Sequence, residues 1–466
     1  MSNKVEGSVA VQQLAYAQRV REILFAKYGR TPKAFIHTYG CQQNVSDSER
    51  LQGMLAEMGY SFCDSPADAD LVLFYTCAVR EHAEARVFGN VGQLKKLKEQ
   101  KPDMLIVLCG CMVQQEHIVE KVKRSYPYVD ILFGTFVKHR FAELVYKKLT
   151  SKKRVFEISD SENLIAEGMP IKRDGTYKAW LPIMHGCNNF CTYCIVPYVR
   201  GREKSRDYKE ILAEAKQLID SGVREITLLG QNVNSYMKDD DSGINFASLL
   251  RMLNGLDGEF RIRFMTSHPR DCTKELIDTV AECEKVCHHL HLPVQCGSDR
   301  ILKRMNRHYT TEKYLSLIEY AKKKIPDIEF TSDIIVGFPG EEYSDFCGTL
   351  DIIKKVEFYS LFTFIFSPRN GTPAALMEDN IPPSEKSRWF RELLAEQEKI
   401  SEKLNRSLVG KTVTVLCENS ERTDGMLSGK TNGYATVDFF GSEDLIGQFV
   451  NVNITEYDGV LKGKII

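Results

Sequence analysis

The sequence predicts an α/β protein in three parts: an N-terminal parallel α/β domain, a central partial βα barrel and a small C-terminal antiparallel β-barrel. Between residues 34 and 111 three near-continuous apolar stretches alternate with helical ones, which is how strands buried on both faces of a parallel sheet read. From residue 177 a longer strand–helix series runs to about 400, the pattern of repeated right-handed βα units in a full or partial barrel. Residues 410–466 change to short alternating strands with Gly and Asn turns, as in a barrel of the oligonucleotide-binding sort.

Taken in order, VQQLAYAQRVREILFAKYG predicts an N-terminal helical extension, residues 1–32, that packs or caps. AFIHTYGC (34–41), LVLFYTC (71–77) and MLIVLCGC (104–111) predict three buried strands. A helix capped at Ser46, with Glu49 at the capping-box spacing, and a helix ended by Lys101-Pro102 fall between them. The basic stretch KKLTSKKR (147–154) and the segment up to about residue 172 read as a linker. EITLLGQ, RIRFMTSH, HHLHLPVQ, EFTSDIIVGF and LFTFIFS predict further strands, and residues 388–410 a helix with a charged face. The expected domains are 33–151, 173–403 and 406–466.

A chain of 466 residues, 43% hydrophobic and 27% charged, is not disordered, collagenous or a coiled coil. Sixty-two Lys and Arg against 63 Asp and Glu leave a net charge of −1, so any nucleic-acid site is a local patch. No apolar run has the ~18 residues of a membrane span, and the start lacks the basic and apolar regions of a signal peptide. The expected compartment is the cytoplasm, where fourteen cysteines point to metal or redox chemistry rather than disulfides.

Cys187, Cys191 and Cys194 stand in HGCNNFCTYC with spacing CxxxCxxC. So short a loop can wrap three thiolates around one face of a 4Fe-4S cluster and leave one iron open. The alternative is a zinc knuckle with His185 as fourth ligand. Cys41, Cys77 and Cys111 lie 36 and 34 residues apart, each at the C-terminal end of a predicted strand. Parallel strands joined by right-handed crossovers bring those ends to one sheet edge, so a second three-thiolate site is expected there; the alternative is three ordinary buried thiols. Cys283 and Cys287, near His288, His289 and His291, offer at most half a zinc site, and the other cysteines read as structural.

CNNFCTYC resembles the radical S-adenosylmethionine superfamily, in which the open iron binds S-adenosylmethionine. HTYGCQQNVSDSER, FYTCAVREHAEARVFG, LCGCMVQQ and CIVPYVRGRE resemble the methylthiotransferase family over nearly the whole chain, with a C-terminal TRAM barrel. GCQxN followed by DSE, with TCAVRExAE, is similar to the branch acting on isopentenylated adenosine of tRNA. The branches acting on threonylcarbamoyl-adenosine or on a ribosomal-protein aspartate are the alternatives. Tyr75 stands where that branch usually has Asn, and Gln43 where Met is common.

The resemblance implies two 4Fe-4S clusters, at Cys41, Cys77 and Cys111 and at the catalytic Cys187, Cys191 and Cys194, with two molecules of S-adenosyl-L-methionine as methyl donor and radical source. Gly230, Gln231, Ser267, Gln295 and Asp333 are candidate cofactor contacts at strand ends, and Asn232, Asn234, Arg304 and Arg307 candidate substrate contacts; turns and solvated charge runs are the plain alternatives. The partners implied are a tRNA anticodon stem-loop, whose splayed bases are reachable, and an electron donor such as flavodoxin or ferredoxin, with no membrane and a monomeric chain. The final barrel carries five Lys and Arg against eight Asp and Glu, contrary to an RNA-binding surface unless a patch such as Tyr434, Phe439 and Phe440 serves.

Overall fold

A computed structural model describes residues 2–79, 81–158, 164–173, 175–238, 243–418 and 425–466. The chain divides into two compact units, one of residues 1–174, 185–188 and 194–206, the other of residues 175–184, 189–193 and 207–466.

In the first unit, strands β1 (Lys33–Thr38), β2 (Ser61–Phe62), β3 (Leu71–Thr76), β4 (Leu105–Gly110), β5 (Ile131–Phe133) and β6 (Val155–Glu157) form one parallel sheet in the order β2-β1-β3-β4-β5-β6. Every residue of β3 and β4 is buried. The unbroken apolar runs said so, because helices cover both faces of a doubly wound sheet. The N-terminal helix Ser2–Tyr28 buries Ala17, Val20 and Leu24 among Leu51, Leu55, Leu144 and Val145.

Two expectations fail here. The helix after Cys41 spans Gln42–Glu57, so Ser46 and Glu49 are interior and buried rather than a cap. The physical reason is Gly40, whose φ of +109° turns the chain so sharply that the helix starts at once. The supposed linker contributes β6 to the sheet, and Lys172 N–H donates to the Glu49 carbonyl at 3.0 Å. A three-residue strand is too short for periodicity to register.

In the second unit, β7 (Lys178–Pro182), β8 (Glu225–Leu229) and β9 (Arg261–Phe264) pair in the order β9-β8-β7, and β10 (His289–His291), β11 (Glu329–Val336) and β12 (Ser360–Ile365) in the order β10-β11-β12. All are parallel, and an isolated Ile262–Val286 bridge joins β9 to the chain just before β10, giving the expected partial barrel. Strands β13 (Thr412–Glu418), β14 (Met426–Thr431), β15 (Thr436–Phe440), β16 (Phe449–Tyr457) and β17 (Leu461–Ile465) close into a small barrel in the order β13-β14-β15-β17-β16.

The turn between β14 and β15 is clamped to the N-terminal ends of the βα strands. Buried Arg261 donates to the Lys430 and Thr431 carbonyls at 2.9 and 3.0 Å, and Arg263 to the Thr431 and Gly433 carbonyls, while Glu225 at 2.7 and 2.8 Å balances both guanidiniums. Tyr434 N–H donates to Glu329 at 2.6 Å and its ring stacks on His289. Of the expected aromatic patch, Tyr434 is thus engaged, Phe439 is fully buried and only Phe440 stands exposed.

Candidate functional site

The C-terminal ends of β1, β3 and β4 deliver Cys41, Cys77 and Cys111 to one corner of the first unit. Asn44 organises that corner. Its Nδ2 donates to the Tyr39 carbonyl at 2.7 Å and the Thr76 carbonyl at 3.2 Å, tying together the chain just before Cys41 and just before Cys77. Its Oδ1 lies 3.9 Å from Cys41 Sγ and 3.8 Å from Cys111 Sγ. Gly40 permits the approach of the first two cysteines: a Cβ there would sit 2.6 Å from Cys77 Cβ and 2.8 Å from its sulfur.

Beneath the thiols lies a buried charge network. Asp47 accepts from Lys138 at 2.6 Å, from Tyr75 Oη at 2.8 Å and from Arg200 at 3.1 Å, and Arg200 reaches Asn44 Oδ1 at 2.7 Å. Burial alone would push the Asp47 carboxyl up, but Lys138 and then Arg200 overcome it and hold the group far below the usual carboxylate range. Burial, then Lys138, holds His185 well below the ordinary histidine value. Burial pushes the Cys111 thiol up to about 12; Arg200 opposes the rise, and Cys77 and Cys41 add to it.

The segment after Cys194 packs against the same corner. Ile195 and Val199 cluster with Ala78 and Cys111, Thr135 Oγ1 donates to the Val199 carbonyl at 2.5 Å, and Cys187 N–H bonds the Gly201 carbonyl at 3.1 Å. Cys191, in the second unit, receives a hydrogen bond from Arg307 at 3.3 Å. Arg307 is buried, donating also to the Pro293 carbonyl and Tyr309 Oη. Of the candidate substrate contacts, Arg307 is therefore turned inward onto a cysteine. Arg304 is exposed, its Nε on the Pro339 carbonyl at 3.1 Å.

The other candidates sit where parallel strands end. Gln231 and Asn232 follow β8, and Ser267 follows β9; the Val233 N–H donates to the Thr266 carbonyl, drawing the two loops together. Asn232 Nδ2 donates to Asp271, while its Oδ1 and the Ser267 hydroxyl are buried without a partner. Gly230 leaves room for Met184. Gln295 bridges to Ile334, next to Asp333, which faces His291 at 3.5 Å. Thr266 and Gln295 hold φ of +70° and +68°, costly for side-chain-bearing residues and concentrated at this face. Asn234 does something else: both ends of its amide bind the His268 backbone, closing a turn.

Both cysteine sets suit an iron–sulfur cluster. At the first, three thiols crowd one corner, where burial, with Cys77 and Cys41 adding to it, holds the Cys111 thiol up, a donor set that a cationic centre would relieve. At the second, Cys191 already has a guanidinium donor, and Asn189 Oδ1, Asn232 Oδ1 and Ser267 Oγ are buried and unanswered, as groups awaiting a polar ligand would be. Among the described residues, no group of three or more His, Cys, Asp or Glu is placed to hold a single metal ion. Cys283 and Cys287 are free buried thiols.

Sequence reasoning missed Asn44, Asp47, Lys138 and Arg200. Polar residues in the motif blocks were a signal for three of them; Lys138 carried none.

The radical SAM superfamily matches residues 181–353, the uncharacterized protein family UPF0004 residues 33–134 and the TRAM domain residues 406–466. A tRNA-2-methylthio-N(6)-dimethylallyladenosine synthase of Acetivibrio thermocellus is 49% identical over 98% of this chain and 97% of its own length. The protein of that name from Alkaliphilus oremlandii is 50% identical over 94% of this chain and 93% of its own. The radical S-adenosylmethionine methyltransferase TsrM of Kitasatospora setae shares the fold, at 13% identity and a TM-score of 0.54 over 74% of this chain and 75% of that one. No helix among the described residues is long and apolar enough to cross a membrane. Membership of the radical SAM superfamily implies a 4Fe-4S cluster and S-adenosylmethionine. The chain belongs to the family of the tRNA-2-methylthio-N(6)-dimethylallyladenosine synthases, radical SAM enzymes.

Proposed function

We propose that this enzyme places a methylthio group on C-2 of the adenine of an isopentenylated adenosine beside a tRNA anticodon. The single observation that carries the two-site reading is the convergence of Cys41 and Cys111 on the Asn44 amide oxygen, with Cys77 held alongside by Gly40. Cys187, Cys191 and Cys194 would hold one 4Fe-4S cluster and Cys41, Cys77 and Cys111 a second. The groups so bound supply the radical that removes an unreactive C–H hydrogen and the methylated sulfur that replaces it.

The chain's own part is positioning. Asn232, Ser267, Gln295 and Asp333 line the strand-end face where a cofactor would sit, and strained Thr266 and Gln295 fix two of those loops. Arg307 donates to one ligand sulfur. Asn234 shapes the turn that carries Asn232. The same reading takes residues 33–151, 173–403 and 406–466 as the working domains, a monomeric cytoplasmic enzyme, an anticodon stem-loop as partner, and flavodoxin or ferredoxin as electron donor.

The test is expression in a host lacking the modification, followed by mass spectrometry of its tRNA nucleosides. The methylthio-isopentenyl nucleoside is the expected product. Persistence of the unmodified isopentenyl nucleoside with iron fully loaded overturns the reading, and the threonylcarbamoyl nucleoside or ribosomal protein then becomes the substrate to assay.

A further inference from the structure

We propose that Arg200 is the built-in counter-cation of the Cys41, Cys77 and Cys111 site, a positioning residue that sets the charge under a cluster held there; this rests on the two-cluster reading above. Its guanidinium is almost wholly buried, 5% exposed. One prong binds Asp47 and the other Asn44 Oδ1, the same oxygen that Cys41 and Cys111 approach. The cation is thus one amide away from two of the three sulfurs.

Charge gives the arrangement a purpose. Lys138 and Arg200 both pair with the one Asp47 carboxylate, and Arg200 alone goes on to the Asn44 oxygen beside the sulfurs. A buried cation is costly unless anions answer it. Three thiolates around an oxidised 4Fe-4S cluster carry one net negative charge, so a cluster held there would be a further anion for Arg200. Net charge and hydrogen bonding near a cluster are among the factors that set its reduction potential.

Arg200 comes from the helix Val196–Arg200, which begins two residues after Cys194. Its position is fixed within the first unit by the Val199 contacts and by Gly201, where φ of +76° ends the helix beside Phe136. Tyr75 bears on the same point. Its hydroxyl donates to Asp47 at 2.8 Å and so helps hold the carboxylate that orients Arg200.

The experiment uses the full chain with Cys187, Cys191 and Cys194 all changed to Ala, so that only the first site can hold iron. Iron content and the midpoint potential of the remaining cluster are measured for this parent and for Arg200→Gln, Arg200→Lys and Asp47→Asn made in it. The expected result is four irons per chain in the parent, a potential shifted negative in Arg200→Gln, largely restored in Arg200→Lys, and shifted positive in Asp47→Asn. Opposite shifts from two neighbouring substitutions are what a change of charge gives and a loosened fold does not. If Arg200→Gln fails to hold iron, a loaded Arg200→Lys still supports the proposal, and an empty one overturns it. Unmoved potentials, or shifts of the same sign, overturn the counter-cation role alone. A parent without iron overturns the second cluster and the counter-cation role together.

Discussion

The two cysteine triads reach similar ends by opposite routes. Cys187, Cys191 and Cys194 come from one eight-residue loop, so chain connectivity gathers them. Cys41, Cys77 and Cys111 come from three strands, so only a correctly registered sheet gathers them. Each triad has one buried arginine nearby, but the contact differs. Arg307 touches Cys191 directly at 3.3 Å, whereas Arg200 works through Asn44 and is balanced by Asp47. A loop that is fixed by sequence needs little besides a donor on a sulfur. A corner assembled from distant strands needs a polar frame to hold its members apart and in place.

Removing one cysteine from each triad should separate the two most widely. Cys191→Ser is expected to abolish cleavage of S-adenosylmethionine to 5′-deoxyadenosine. Cys111→Ser is expected to leave that cleavage running while the methylthio product disappears. Chromatography of both products separates the cases, and loss of cleavage in both would mean the two sites are not independent.

Next is the frame itself. Asn44→Leu removes the amide that satisfies the Tyr39 and Thr76 carbonyls and one prong of Arg200. Unpaired buried polar groups cost roughly 1–3 kcal/mol each, so a loss of about 2–5 kcal/mol is expected by denaturant unfolding, with the iron of the first site lost before that of the second.

Arg307→Met tests the other arginine. A hydrogen bond involving a charged group is worth about 1.5–3 kcal/mol, so 5′-deoxyadenosine formation should slow by about 10- to 100-fold with iron retained. An unchanged rate would make Arg307 a packing residue.

The smallest effect lies at the clamp under the C-terminal barrel. Burial raises Glu329 to about 7 despite the N–H groups that bind it. A carboxyl that binds its proton more tightly when folded loses stability as pH rises from the unfolded value near 4.5 towards 7. Glu329→Gln should flatten that decline, read as the melting temperature across the same interval; a parallel decline in both proteins would place the titration elsewhere.

Much of the fold was legible because buried parallel strands leave unbroken apolar runs and barrels leave repeated ones. That Cys41, Cys77 and Cys111 come together was legible because strand ends are written in the sequence. The polar frame was not. Asn44 and Asp47 sit on a helix whose cap the sequence put five residues too late, and nothing local to Lys138 or Arg200 announces the carboxylate they share. Arg307 read as a candidate substrate contact, and its burial is something sequence does not display residue by residue. The short strand Val155–Glu157 fell below the length at which alternation can be seen.

The parallel sheet that unites Cys41, Cys77 and Cys111 also sets a timetable. Non-local strand pairing is slow compared with loop closure, and N-terminal domains fold first during synthesis. The strand-built corner therefore exists only once β4 has joined β3, whereas the loop of Cys187 to Cys194 has its three sulfurs in hand as soon as it is made. On the two-cluster reading, metal uptake at the first corner doubles as a report that the amino-terminal sheet is correctly assembled, and a chain that fails there would be left as an enzyme that spends S-adenosylmethionine without a sulfur to transfer.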